Sequence, residues 1–225
     1  MLERMSSNFL IVLLIWLLHP CPCWCTLLVT GQVEVNGRNA QLIYDSNRNL
    51  TWLDYTYQAS YWESANTWAD NLSFTLDGTI FNDWKLPQTV RESNAFTGGY
   101  DIVSSDMGHL YYDELGNQSP YASGNYGLQH TGPFEYLQET AYWSSTIVDE
   151  MTGDEHYQFN FAFGRQWALA NGFYANAMAV HPGRVGPVQE VSEPSSFILY
   201  ALGLLLLIKQ LQFQRNNQVA VWKLT

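Results

Sequence analysis

Apolar residues fall along this chain in three rhythms. Phe9 to Leu18 is an unbroken apolar run, and Phe197 to Ile208 is another. Between them the pattern is that of a water-soluble body. "QLIYDSNRNLTWLDY" sets two apolar stretches around Ser46–Asn49, turn chemistry that predicts a hairpin. "SYWESANTWADNL" predicts a helix, with Ser60 and Glu63 as a capping box and Ala65, Trp68, Ala69 and Leu72 spaced i, i+3, i+4, i+7. "NDWKLPQ" reads as a short extended segment stopped by Pro87, and Thr89 with Glu92 can cap a second short helix. A third helix is expected over "DMGHLYYDELG", where Leu110, Tyr111, Glu114 and Leu115 give partial periodicity and Gly116 is a natural stop.

Asn117 to Gly132 is rich in Gly, Ser and Asn and predicts a long loop, followed by a helical turn at "PFEYLQE". Strands come next. "AYWSSTIV" is extended. "HYQFNFAFG" alternates, with Tyr157, Phe159, Phe161 and Phe163 on one face and Gln158, Asn160 and Ala162 on the other, as in a half-buried strand. "GRQWALA" returns from a tight turn, and "NAMAVHPG" is a last strand. Trp143 and Trp167 are expected in the core. Early helices and late strands predict an α+β fold.

The two apolar runs look like addresses. Ten apolar residues after a short start containing Arg4 read as a secretory signal peptide, too short for a bilayer that needs about 20 residues; an uncleaved anchor is the alternative. Cys23 and Cys25 occupy the minus-three and minus-one positions, which places cleavage after Cys25. All three cysteines, Cys21, Cys23 and Cys25, belong to this leader. If the leader is removed, the mature body has no thiol, and with it no disulfide, zinc–thiolate site or cysteine nucleophile. The closing run covers roughly 18 Å as a helix, short of a hydrocarbon core near 30 Å. Lys209 and Arg215 follow it, a positive cytoplasmic flank.

Charge narrows the partners. From Thr26 to Pro194 six basic residues face twenty acidic ones, a net −14, which repels phosphate backbones and makes nucleic acid an unexpected partner. Six tryptophans in the same stretch can fill one core.

"VSEPSSFILYALGLLLLIKQLQFQR" resembles the PEP-CTERM tail of bacterial surface proteins, with Glu193 and Pro194 matching its motif and Ser192 where a first proline is usual. That resemblance implies an exosortase-type processing enzyme as partner and transient membrane anchoring before display at the cell surface or in the matrix. A second resemblance spans about residues 40–183. "LIYDSNRNLTWL", "WADNL", "DWKLP", "TGPFEYLQ", "YWSST", "FNFAFGRQ" and "AVHPG" occur in the order found in the Lcl C-terminal-like family of secreted bacterial domains. That family is similar to C-type lectin-like domains. It implies a twisted antiparallel sheet, two or three flanking helices, long irregular loops and extracellular binding of glycan or matrix polysaccharide. Family members often carry Arg where this chain has His181. The expected organisation is a signal peptide at 1–25, the lectin-like domain at 26–187, the sorting tail at 188–215 and a polar extension at 216–225, with apolar helices at both termini.

Candidate chemistry is sparse. There is no nucleophile elbow, His-Glu-x-x-His or phosphate loop, and no catalytic residue is assigned. Ser144, Ser145 and Thr146 read as strand hydrogen-bonders. His109, His130, His156 and His181 show no ligand spacing. Asp149, Glu150, Asp154 and Glu155 crowd one turn and offer hard oxygen ligands for Ca²⁺, the one cofactor the sequence suggests; a solvated acidic turn is the alternative. "QSPYASGNYGLQ" presents Tyr121, Asn125, Tyr126 and Gln129 on a loop, suited to stacking on and hydrogen-bonding a sugar, unless the tyrosines pin the loop to the core. A non-catalytic carbohydrate or adhesin-type binding domain is the leading expectation. A polysaccharide-active hydrolase using paired carboxylates and a structural biofilm-matrix component are the alternatives.

Overall fold

The computed structural model describes residues 26–89, 98–122, 124–148 and 153–187, with 203, 204, 206, 207, 209 and 210. The chain divides into two compact units, Met1–Pro187 and Val188–Thr225. In the second, the described residues are helical, and Leu204, Leu206 and Leu207 are more than half exposed. No helix among the described residues is long and apolar enough to cross a membrane. The leader, the segment Val90–Glu92 and the motif at Glu193 and Pro194 lie outside the described residues.

The first unit is built on a sheet of seven strands, with a separate two-stranded hairpin. In chain order these are β1 (Leu27–Val35), β2 (Arg38–Asp45), β3 (Leu50–Ser60), the hairpin β4 (Phe74–Leu76) and β5 (Thr79–Phe81), β6 (Ala141–Ile147), β7 (Glu155–Asn160), β8 (Arg165–Ala170) and β9 (Ala175–Pro182). The order across the large sheet is β1-β2-β3-β9-β6-β7-β8. The architecture is α+β, but the sheet is mixed rather than purely antiparallel. Strand β9 runs antiparallel to β3 and meets β6 in parallel at the single pair Tyr142–Asn176, so two antiparallel ribbons are joined at one point.

The predicted hairpin is β2–β3. Its turn is tied by Asp45, whose Oδ1 accepts from the Asn47 and Arg48 amides at 3.0 and 2.9 Å, and by Asn49 at φ 50°. The predicted helix is α1 (Trp62–Asp70), but its N-cap is Tyr61, which makes no side-chain cap, so the Ser60–Glu63 box does not form. Ser60 is instead the last residue of β3. The third predicted helix is α2 (Asp106–His109), capped by Ser105 and continued by a π-helical turn at Leu110–Glu114.

Two expectations fail for tertiary reasons. "PFEYLQE" is irregular, because its amides leave for β3 and β6: Glu135 and Tyr136 donate to the Asp54 carboxylate at 2.8 and 3.0 Å, and Gln138 donates to the Tyr142 hydroxyl. Strand β7 ends at Asn160, and Phe161–Gly164 is a turn. His156, Tyr157, Gln158 and Phe159 are all buried, so the strand is covered on both faces and the alternation marks two buried sides.

Neighbouring residues on a strand feed different cores, as pleating demands. Ile43, Trp52, Tyr142 and Met178 join Leu110, Tyr111, Phe134 and Phe159 on one face. Leu42, Leu53, Trp143, Ala177 and Ala179 join Ala65, Ala69 and Trp84 on the other. Alanines on both β9 and α1 let that helix lie close to the sheet. The first face is roofed by α2 and the long loop.

Candidate functional site: the long-loop lobe

Asn117 makes the loop a closed lobe. This buried side chain donates to the His130 carbonyl at 2.8 Å and accepts from the Gln129 and His130 amides at 2.9 and 2.8 Å. One amide therefore fastens the two ends of a 118–128 excursion, the arrangement of an Ω-loop. The Gln118–Gly127 bridge and the Tyr111 hydroxyl, which donates to the Gln118 carbonyl at 3.0 Å, close it further. Leu128 and Ser119 supply the buried anchors, and the Ser119 hydroxyl donates to Asp101.

With those anchors in place, the tyrosines are left outside. Tyr121 is 81 % exposed and Tyr126 51 % exposed. Asn125 and Gln129 are also exposed, and both line a cleft of about 350 Å³ with Gly116, Asn117, Gln118 and His130. The structure thus brings Asn125 and Gln129 into one concavity. Tyr121 and Tyr126 stand on the same loop, and neither lines the cleft.

Sequence reasoning missed the surface beside Tyr121. Tyr121 packs edge-on against Tyr100, with ring centroids 5.0 Å apart. The Arg165 guanidinium sits 5.8 Å from the Tyr100 ring and 4.5 Å from that of Trp167. Trp167, expected in the core, is therefore half-buried in a surface stack. Edge strand β8 is the support, because Gly99 and Gln166 exchange both backbone hydrogen bonds at 2.8 Å. The missed signal was the Arg165–Trp167 spacing, since residues two apart on a strand share a face. Tyr112 ties this region to the π-helical turn after α2: its hydroxyl donates to the Gly164 carbonyl and accepts from the Asp101 amide. Gly164 has φ 71°, and a Cβ there would fall 2.4 Å from the Tyr112 hydroxyl, so only glycine fits.

The other candidates are dispersed. Of the proposed Ca²⁺ ligands, Asp149 and Glu150 lie outside the described residues, and Asp154 and Glu155 are exposed at the start of β7. Thr146 bonds both the carbonyl and the amide of Thr89, and Ser144 accepts from the Thr146 amide. His156 stacks on Trp62 with centroids 3.6 Å apart and hydrogen-bonds Asn171 at 2.7 Å; burial lowers its pKa. His181 packs against Phe81 and Trp84, and burial lowers its pKa as well. A second open concavity of about 400 Å³ lies along α1, where Trp68 stacks on Tyr57 at 4.9 Å between centroids. That stack occupies a face of the tryptophan that a sugar would need.

No family model, curated protein or solved structure matches the chain.

Proposed function

We propose that the domain is a non-catalytic recognition module that works outside the cell by holding carbohydrate on its long-loop lobe. The carrying observation is that exposed Tyr121 and Tyr126 stand on the same loop as Asn125 and Gln129, which line an amide-rich cleft that neither ring enters. Aromatic faces stack on the CH surfaces of sugars, and amides meet hydroxyls as both donor and acceptor. The cleft lining contains no carboxylate, which favours binding over glycoside hydrolysis by a carboxylate pair. The α+β architecture with two helices and an irregular lobe supports the reading at the level of fold class, while the mixed sheet departs from the antiparallel one that the C-type lectin-like resemblance implies. Export by the leader and exosortase-type handling of the tail at Glu193 and Pro194 complete the reading: a surface or matrix protein.

A glycan array run in calcium and in chelator tests it. Retention of a saccharide that is recovered uncleaved supports the proposal. Release of shorter products would move the protein to the hydrolases, and an array without a single retained saccharide would remove carbohydrate altogether.

A further inference from the structure

Behind the α2 side of the sheet, three carboxylates surround one imidazole. His109 Nδ1 lies 2.9 Å from Asp113 Oδ2, and Nε2 lies 3.0 Å from Glu114 Oε1 and 4.0 Å from Asp45 Oδ2. The Asp45 and Glu114 side chains are 0 % and 1 % exposed. Asp45 Oδ2 is buried without a hydrogen-bond partner, although Oδ1 of the same group accepts two amides. A buried carboxylate oxygen left bare is costly. The Arg48 guanidinium is turned to the Val103 and Ser105 carbonyls and to Asp106.

Backbone geometry assembles this group. His109 and Glu114 are five residues apart, a spacing that an α-helix splays onto different faces. The π-helical turn, closed by the Leu115 amide on the Leu110 carbonyl at 2.9 Å, brings them together. Asp45 arrives from the end of β2. Each ligand is also held from behind. Asp113 Oδ2 and Glu114 Oε1 lie within hydrogen-bond distance of Nδ1 and Nε2; with Nδ1–H given to Asp113, Nε2 is the nitrogen that would ligate a cation. Asn47 donates to Glu114 Oε1 at 2.8 Å, and the Thr26 hydroxyl donates to Oε2.

We infer that Asp45, His109 and Glu114 form a binding site for one divalent cation of the zinc class. One ligating atom from each of the three lies within 4.8 Å of the other two, so a modest contraction gives bonds near 2.0–2.2 Å. One nitrogen and two carboxylate oxygens suit Zn²⁺ or its first-row neighbours; Ca²⁺ prefers oxygen alone. Asp113 is the carboxylate that orients a ligating histidine. The site is independent of the sugar-binding lobe and of the acidic turn at Asp154 and Glu155.

The test uses the full chain, chelator-treated and with its three cysteines alkylated. Calorimetric titration with Zn²⁺ is expected to give one site, and Zn²⁺ at about 100-fold over its Kd is expected to raise Tm by roughly 5–10 °C. Diffraction at the zinc edge should place one anomalous peak within bonding distance of a ligating atom from each of the three residues. His109→Gln should abolish binding, and Asp113→Asn should weaken it about 10–100-fold. Absence of Zn²⁺ binding by the unaltered protein, or a peak at any other histidine, overturns the site without reference to how well any variant folds.

Discussion

The two faces of the sheet are closed by opposite means. On the α1 face the cover is a regular helix lying on small side chains, with Ala65 and Ala69 facing Ala177 and Ala179. On the α2 face much of the cover is irregular chain, and polar side chains hold it where backbone ladders would otherwise do so. Asp54 takes two amides of 135–136, Asn117 fastens 129–130, and the Tyr111 and Tyr142 hydroxyls bond Gln118 and Gln138. A helix satisfies its own backbone and leaves little to spare. Irregular chain must be tied from elsewhere, and between its ties it can offer side chains to a ligand.

Truncating either central tryptophan is the harshest way to test this contrast. Trp52→Ala and Trp143→Ala remove fully buried rings from opposite faces, and each is expected to cost about 3–5 kcal/mol in denaturant unfolding. Equal losses show one cooperative unit; loss of the loop face alone shows two. Asp54→Ala is the selective cut. It orphans two amides, costs roughly 1.5–3 kcal/mol, and should speed hydrogen exchange at Glu135 and Tyr136 while leaving α1 protected. Ala69→Leu is its counterpart: overpacking against β9 costs about 1–3 kcal/mol and leaves the loop amides protected.

Acidity gives a smaller effect of definite sign. Burial lowers the pKa of His156 and His181 below the ordinary 6.5, so the folded state holds fewer protons than the unfolded chain just below that value. Their contribution to stability is complete above pH 6.5 and is lost as pH falls through the folded values. Asp54 and Asp106 act in the opposite direction. Desolvation raises both above 3.8, so their contribution is present below 3.8 and is lost as pH rises through the raised values. Unfolding followed from pH 5 to 7 should show stability rising more steeply in the unaltered protein than in His156→Phe, which keeps a ring against Trp62 but cannot titrate.

Local elements were legible from local residues. The Ser46–Asn49 turn, α1, β6, β8 and β9 lie where local turn chemistry and patterning put them, and β7 does so as far as Asn160. Two further hairpins were also written in plain turn chemistry and went unread. Asn36-Gly37 joins β1 to β2 and Asp77-Gly78 joins β4 to β5, each with both residues at positive φ. What stayed hidden was nonlocal. The helical reading of "PFEYLQE" fails because of Asp54, about eighty residues earlier. Phe161 is buried from a turn, so its place in an alternating pattern was coincidental. The candidate surface of the loop was half legible: composition picked out Tyr121, Asn125, Tyr126 and Gln129 as loop residues, whereas Tyr100 and Arg165 come beside Tyr121 through the pairing of Gly99 with β8. The Asp45–His109–Glu114 cluster could not be read from spacing, because it depends on a π-helical turn and a distant strand end.

The central claim is that the lobe's exposed tyrosines hold sugar. The most direct measurement is calorimetric titration of an array-selected saccharide into the unaltered protein and into the Tyr121→Ala, Tyr126→Ala double variant. Loss of at least about tenfold in affinity at unchanged Tm is the predicted result. Equal affinity in both proteins would contradict it.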